Sequence, residues 1–552
     1  MLEDIFKRTE ELTVELVQIR SVNKAPGEET RLAEFIFDYY KDLPYFKERP
    51  QQLIMQKTLD DVVSRHNTIA YVKGTKEGGS PQTVILMGHF DTVGIEDFSD
   101  FSDYATRPKE LPEILRANFK LSDEVLRDID SGKYLFGRGA LDMKSGIALQ
   151  MLIMEYFSRH PQELRGNIVA LHTCDEEDSS KGIISSLEIL SDLREKEGFE
   201  YITSINADYT TNAFPGDVDY YVYLGTIGKY LPACSIFGKE AHVGQPFAAL
   251  DPNFLAALIT KNVSLNPELC DLAAGELTQP PISLKQKDFK DEYTVQTALA
   301  SQVYFNVFSH GKSAEAVMRD FERIVDESME EAIELLDMRY RKFCKMANIS
   351  YTPLPWKKNI IRYEDLLREV VERNPSFLEE LKAFKDRLHE REPEKDLREF
   401  NHEVIQFVWD RREDSSPGIV VYFASVLIPP LEIRGESENE KRLLQCLDEV
   451  LAETSTPAGV HVRQKHFFPY ISDASFMSVG VDQSYEAYIS NMPSWGHKYT
   501  HPFEWIEKID VPVINIGSHG KDGHMFTERV DREHTFKRVP EMTYELLKKL
   551  LR

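Results

Sequence analysis

Apolar residues recur along the chain in two periods. Leu32, Phe35, Ile36, Tyr39 and Tyr40 fall at i, i+3, i+4, i+7 and i+8, the spacing of an amphipathic helix. The runs "NTIAYVKG" (67–74), "TVILMG" (83–88), "NIVALHT" (167–173), "YITSINA" (201–207) and "VPVINIG" (511–517) are short, apolar and rich in β-branched residues, so they read as strands. "KSGIALQMLIMEYF" (144–157) is apolar on nearly every side and predicts a buried helix. Strands alternating with helices imply an α/β fold: a mostly parallel sheet flanked by helices.

The middle of the chain breaks this pattern. After Asp219, "YYVYLG" and "YLPACSIFG" read as close-set strands with a glycine-containing turn between them. From about Ser313, the positions Val317, Phe321, Ile324, Val325, Met329, Ala332, Ile333 and Leu336 predict a long helix. "HEREPEKDLREFNHE" (389–403) is charged enough to predict a solvated helical face. Strand character returns at "GIVVYFASVLIPPLEI" (418–433). The expected organisation is a catalytic-type domain built from 1–224 and 433–552. A lid or dimerisation-type α+β domain is inserted at 225–432, with an extra helical region over about 340–416. No internal repeat or low-complexity tract is evident.

Composition narrows the function. A chain of 552 residues exceeds one ordinary core, and 42% hydrophobic residues suffice for packed domains. The formal charge of −26 argues against nucleic acid, whose binding footprint is basic. The five cysteines, Cys174, Cys234, Cys270, Cys344 and Cys446, are scattered with no CxxC, as in a reduced compartment. The N-terminal stretch carries acids and no apolar run of signal-peptide type, and no 18-residue apolar stretch occurs. The expectation is a cytoplasmic protein with a small-molecule substrate, no membrane partner, and scope to form a homodimer.

The candidate chemistry sits just past the strand ends. His89 and Asp91 follow "TVILMG"; Glu176 and Glu177 follow "NIVALHT"; Asp208 follows "YITSINA"; His524 lies beyond "VPVINIG"; Asp142 precedes the buried helix. Open α/β sheets bind ligands outside the carboxyl ends of their strands. Each segment alone reads more simply as a cap or a solvated acidic loop, and His172, inside an apolar strand, reads as structural. Together they bring five segments of imidazole and carboxylate to one crevice, a donor set that suits Zn²⁺, with Mn²⁺ or Co²⁺ as substitutes. His89 would bind metal, with Asp91 fixing its tautomer. Of the Glu176–Glu177 pair, one can ligate while the other handles a proton.

The segments "MGHFDTV", "GRGALDMKSG", "DEEDSSKG", "NAD" and "GHMFTERV" resemble the M20 family of metallopeptidases, and "NMPSWGHKYTHPFEW" (491–505) is most similar to its arginine-utilisation (RocB-type) branch. The resemblance implies a zinc-exopeptidase-like catalytic domain with two divalent ions. Asp142 would bridge them. His89 and Asp208 would complete one ion, Glu177 and His524 the other. Glu176 would be the general base, with Asp91 behind His89 and Glu528 behind the ligands; His519 competes with His524. The family often has a cis peptide after the bridging aspartate, here Asp142–Met143. "GKEAHVGQPFAALDPN" matches the family's histidine segment, so His242 would polarise the scissile carbonyl, often from a neighbouring subunit. Where family members carry an arginine for a substrate carboxylate, the aligned "NVFSHGKS" has Phe308, with Asn306 the substrate-binding candidate and Lys312 nearby. The implied activity is hydrolysis of an amide or peptide bond in a small N-acyl amino acid or dipeptide-like substrate, in arginine or ornithine metabolism. The alternative is a non-catalytic metal-binding or scaffold protein on the same fold. A two-metal phosphatase is a weaker reading, because no phosphate-cradling glycine-rich loop is evident.

Overall fold

The structure, a computed structural model, describes residues 2–480 and 484–552, and side chains from residue 7 onward. The chain divides into two compact units: Met1–Thr226 with Leu431–Val479 and Pro502–Arg552, and Ile227–Pro430 with Gly480–His501.

The first unit is built on an eight-stranded sheet. Its strands are β1 (Leu53–Lys57), β2 (His66–Lys73), β3 (Gln82–His89), β4 (Asn167–Thr173), β5 (Glu200–Asn206), β6 (Tyr220–Tyr223), β7 (Val462–Lys465) and β8 (Val513–Asn515). Their order is β1-β2-β4-β3-β5-β8-β6-β7. The centre is parallel, β4 with β3, β3 with β5 and β5 with β8; β6 and β7 also run parallel. Antiparallel pairings join β1 to β2, β2 to β4 and β8 to β6. The sheet is therefore mixed, with its parallel core where the sequence pattern put one.

Alternation along the central strands makes two cores. Val84 and Leu86 face one side with Ile168 and Ala170, against the helices Leu2–Gln18, Glu28–Lys41, Ser145–Arg159, Glu438–Glu453 and Val539–Leu551. Ile85 and Met87 face the other side with Val169 and Leu171, against Lys181–Glu197 and Phe503–Ile509. The buried-helix expectation is met: every residue from Ser145 to Ser158 is buried. Register sets the position of the site. His89 pairs with Thr173, Met87 with Asn206 and Asn515 with Asn206. The carboxyl ends of β3, β4, β5 and β8 thus finish level, and the segments that follow them emerge along one edge.

The second unit has a six-stranded sheet whose main path runs Ile282–Asp288, Ala300–Ser309, Pro232–Phe237, Gly418–Phe423, Ile360–Arg362. Three helices, Tyr363–Arg373, Phe377–Arg391 and Leu397–Trp409, share a core with Ala233, Val420 and Tyr422 of that sheet. The helix Ala314–Ala347, capped by the Ser313 side chain on Ala316 N, packs Phe321 against Phe305.

"YYVYLG" and "YLPACSIFG" are close-set strands, as expected, and fall in different units: the first carries β6, and the second lies in the sheet of the second unit, because the chain passes between units after Thr226. Two segments differ from expectation. The 389–403 stretch is not one solvated face. The helix Phe377–Arg391 ends before Pro393, and Asp396 caps the next helix by accepting from Arg398 N and Glu399 N. That helix buries Phe400, Asn401 and His402, so its charged outer face masked an apolar inner one. Residues 480–501 belong to the second unit, whereas the sequence pattern predicts the catalytic part for them. Asn491 explains this attachment, since its carbonyl accepts from Phe423 N at 2.8 Å and its Oδ1 from Glu364 N at 3.1 Å.

Candidate metal centre

Among the described residues, two groups of potential ligands lie in the first unit: His89, Asp142 and Asp208, and Asp142, Glu177 and His524. Within each group the donor atoms lie within 4.8 Å of one another. Asp142 belongs to both. Its Oδ1 lies 3.0 Å from His89 Nε2, and its Oδ2 lies 2.9 Å from His524 Nε2. Glu177 Oε1 is 3.2 Å from His524 Nε2. Glu176 enters neither group; its Oε2 lies 3.9 Å from His89 Nε2. His519 is not among the ligand groups, and its Nδ1 instead meets Thr210 Oγ1 at 3.1 Å.

Close backbone approach builds the site. A side chain on Gly88 would collide with Met143, and one on Gly517 with the Asp208 carbonyl. Glycine at these strand ends lets the Asp142 segment and the Asp208 segment close on the sheet. Asp208 is further pinned by Asn515, which accepts its amide at 3.0 Å and donates to its carbonyl at 2.8 Å. The Asp142–Met143 peptide is cis, as the resemblance implies. Glu528 Oε1 accepts the amides of Leu141 and Asp142 at 3.1 and 3.3 Å, and its Oε2 takes a hydrogen bond from Arg138 at 2.9 Å.

Asp91 does more than the sequence suggested. His89 Nδ1 is 3.2 Å from its main-chain oxygen and 3.5 Å from its carboxylate. The carboxylate is committed elsewhere: Oδ1 accepts Glu176 N and Oδ2 accepts Glu177 N, each at 3.2 Å. With a proton on Nδ1, His89 turns the lone pair of Nε2 toward a carboxylate oxygen. Asp142 Oδ1 and Glu177 Oε1 are buried, and the groups that face them among the described residues are the ring nitrogens of His89 and His524, at 3.0 and 3.2 Å. With those rings neutral and their Nε2 lone pairs turned inward, acceptor faces acceptor, an arrangement that a cation relieves.

The electrostatics agree. Burial raises the pKa of Glu177, with Asp142 adding to it, and burial with Asp142 lifts Asp208 to about 7. Burial also raises Glu176 well above the usual carboxylate range. His524 is drawn up to about 11 by its hydrogen bonds to Asp142 and Glu177. Carboxylates crowded this closely oppose one another's charge, and imidazole with carboxylate is a donor set for divalent metal.

The model of peptidase family M20/M25/M40 matches residues 85–549. The chain belongs to this family. It is therefore an M20-type hydrolase. It is 34% identical to protein RocB of Bacillus subtilis over 97% of this chain and 93% of that protein. It is 30% identical to protein YqjN of the same organism, over 98% of this chain and 96% of that one. Among solved structures, the YxeP protein of Bacillus subtilis, a dinuclear metal-binding peptidase of the M20 family, aligns over 100% of this chain and 99% of its own, with a TM-score of 0.50 and 11% identity, a likeness of fold.

Two candidates of the M20 chain lie in the second unit. His242 is exposed, in a loop pinned where Ala241 N donates to Thr297 Oγ1 and Val243 N to the Val295 carbonyl. Its Nδ1 accepts Gly244 N at 3.0 Å. Asn306 is buried on its strand opposite Ile282. Lys312 is engaged by Asp320 at 3.1 Å.

Sequence reading missed several side chains around the centre. Asp473 is buried; its Oδ2 accepts from Thr173 Oγ1 at 3.4 Å, and its Oδ1 has no hydrogen-bond partner among the described residues. Burial lifts it to about 7, and its charge helps raise Glu176. Arg138 lies within "GRGALDMKSG", where nothing in the sequence marks it as the partner of Glu528. Asn23, Glu29 and Arg65 carried no signal, because nothing in their local sequence marks a buried ion pair.

Proposed function

We propose that this chain holds two divalent ions, Zn²⁺ in the first instance with Mn²⁺ or Co²⁺ as substitutes. Its substrate is a small N-acyl amino acid or dipeptide-like molecule of arginine or ornithine metabolism in the cytoplasm, cleaved at an amide bond. The sharing of Asp142 between two ligand groups carries the reading, since two ions with one bridging carboxylate need that arrangement. His89 and Asp208 would hold one ion with Asp142, and Glu177 and His524 the other. Bound there, the ions supply Lewis-acid polarisation of a carbonyl oxygen and lower the pKa of water.

The remaining steps belong to side chains of this chain. Glu176 stands beside the ligand groups and is free of them, which suits a base that takes the proton of the attacking water and returns it to the leaving amine. His242 accepts Gly244 N on Nδ1, so its neutral ring carries the proton on Nε2 and can donate to a developing oxyanion. Asn306 would contact the polar end of the substrate. The resemblance to the arginine-utilisation branch supports the substrate class. A metal-replete hydrolysis screen over N-acyl and dipeptide derivatives of arginine, ornithine and glutamate tests the reading. Turnover is expected on arginine or ornithine derivatives and is lost in Glu176→Gln. Silence across the panel with both ions bound rejects it.

A further inference from the structure

The loop that carries Glu176 and Glu177 hangs from a second charged cluster, wholly inside the first unit. Asp175 is fully buried, with its backbone in the left-handed region at φ 64°. Its Oδ1 accepts from Arg65 Nη1 at 2.5 Å and from Asn23 Nδ2 at 3.0 Å, and its Oδ2 accepts Lys181 N at 3.0 Å. Its own amide donates to Glu29 Oε1 at 3.1 Å. Arg65, 2% exposed, forks onto Asp61 through Nε and Nη2 at 2.9 and 3.1 Å, while Nη1 also reaches Glu29 Oε2 at 3.3 Å. Asn23 then links this cluster to the metal centre: the same amide nitrogen donates to Asp91 Oδ2 at 2.9 Å.

A buried ion cluster is weak evidence of stability, because the desolvation of its charges offsets their attraction. Here the cluster has a geometric effect. Asp91 grips the amides of Glu176 and Glu177 from one side, and Asp175, the preceding residue, is gripped from the other by Arg65, Asn23 and Glu29. The chain is thereby held at three successive residues, 175–177, and Asp175 itself takes a conformation that a non-glycine residue rarely adopts.

We propose that Arg65 and Asn23 are positioning residues that aim Glu176 and Glu177 through Asp175 and Asp91. The proposal rests on the reading of Glu177 as a ligand and Glu176 as the base. Removing the guanidinium leaves Asp175 and Glu29 buried without their cation, and the loop relaxes. Residues that orient ligands from behind cost about 10- to 100-fold in metal affinity or activity when lost.

The test uses the full chain and Mn²⁺ as the probe, counted and titrated by electron paramagnetic resonance, with kcat and KM measured well below the melting temperature. Asn23→Ala removes only a half-buried amide. It is expected to weaken Mn²⁺ binding and lower kcat about 10- to 100-fold, with little change in KM. Arg65→Met should do the same, and Arg65→Lys should recover part of the loss. Should Arg65→Met not fold, Asn23→Ala decides. Asn23→Ala with Mn²⁺ affinity and kcat within about two-fold of the parent overturns the proposal, provided Glu177→Ala weakens Mn²⁺ in the same assay. If Glu177→Ala also leaves Mn²⁺ binding intact, the ligand reading itself falls, and this proposal with it.

Discussion

His524 Nε2 lies 2.9 Å from Asp142 Oδ2, although 382 residues separate them. His524 takes the left-handed region, at φ 66°, in the connection between the paired short strands Gly520–Lys521 and Arg529–Asp531. Glu528, four residues on, holds the other side of the same junction through the Leu141 and Asp142 amides. The two ends of the chain therefore meet at one carboxylate.

The sharing of Asp142 predicts how metal is lost. Elemental analysis should approach two divalent ions per chain after metal loading. Asp142→Asn is expected to lose both, because the residue belongs to both groups, whereas His524→Ala should lose one. Chelation should also lower the melting temperature, since it returns crowded buried carboxylates to mutual repulsion. An Asp142→Asn protein that keeps two ions contradicts the bridge.

Glu176 and Glu177 are neighbours with opposite expectations. Glu177→Gln removes a donor from the second group and should weaken metal binding. Glu176→Gln should keep both ions and the substrate KM, and lose kcat by about 10²–10⁴-fold as a lost proton carrier. Metal loss in Glu176→Gln with full retention in Glu177→Gln reverses the assignment.

Much of this centre was legible because strand register does the work. The runs ending at His89, Thr173 and Asn206 were readable as strands, and their level carboxyl ends leave the acids that follow facing one edge. Polar positions that work through long-range burial were not. Arg65 and Asn23 look like ordinary surface residues in sequence, and only the fold seals them against Asp175. Asp91 was readable as a partner of His89, but its grip on the Glu176 and Glu177 amides needs the parallel pairing of β3 and β4. The 389–403 region misled for the converse reason: its charges are real, and Phe400, Val404, Ile405 and Val408 bury beneath them.

His402 offers a pH signature away from the candidate metal centre. It is buried against Phe289, with ring centroids 3.7 Å apart, and its Nδ1 meets Ser235 Oγ at 2.9 Å. Burial pushes it down to about 3 from the ordinary 6.5. Between those values the unfolded chain binds a proton that the folded chain refuses, so its contribution to stability falls as pH drops. From pH 7 to pH 5 the parent should lose about 2 kcal/mol relative to His402→Phe, by denaturant unfolding followed in the second unit. A stability difference that stays constant over that range rejects a buried neutral His402.

His242 tests whether the second unit takes part in the chemistry. It belongs to neither ligand group, so removing it should leave both ions in place. Its Nδ1 is occupied by Gly244 N, which leaves Nε2–H as the donor. A donor whose benefit arises mainly in the transition state changes kcat more than KM. His242→Ala is therefore expected to keep metal content and KM near the parent values and to lose kcat by about 10²–10³-fold. His242→Gln, which keeps a donor on a flexible side chain, should recover part of that loss. If the chain dimerises and the histidine serves the neighbouring subunit, mixing His242→Ala with Glu176→Gln subunits should restore part of the activity, which neither variant has alone. Inactive mixtures with demonstrated subunit exchange would confine His242 to its own chain, and a normal kcat in His242→Ala would remove it from the mechanism.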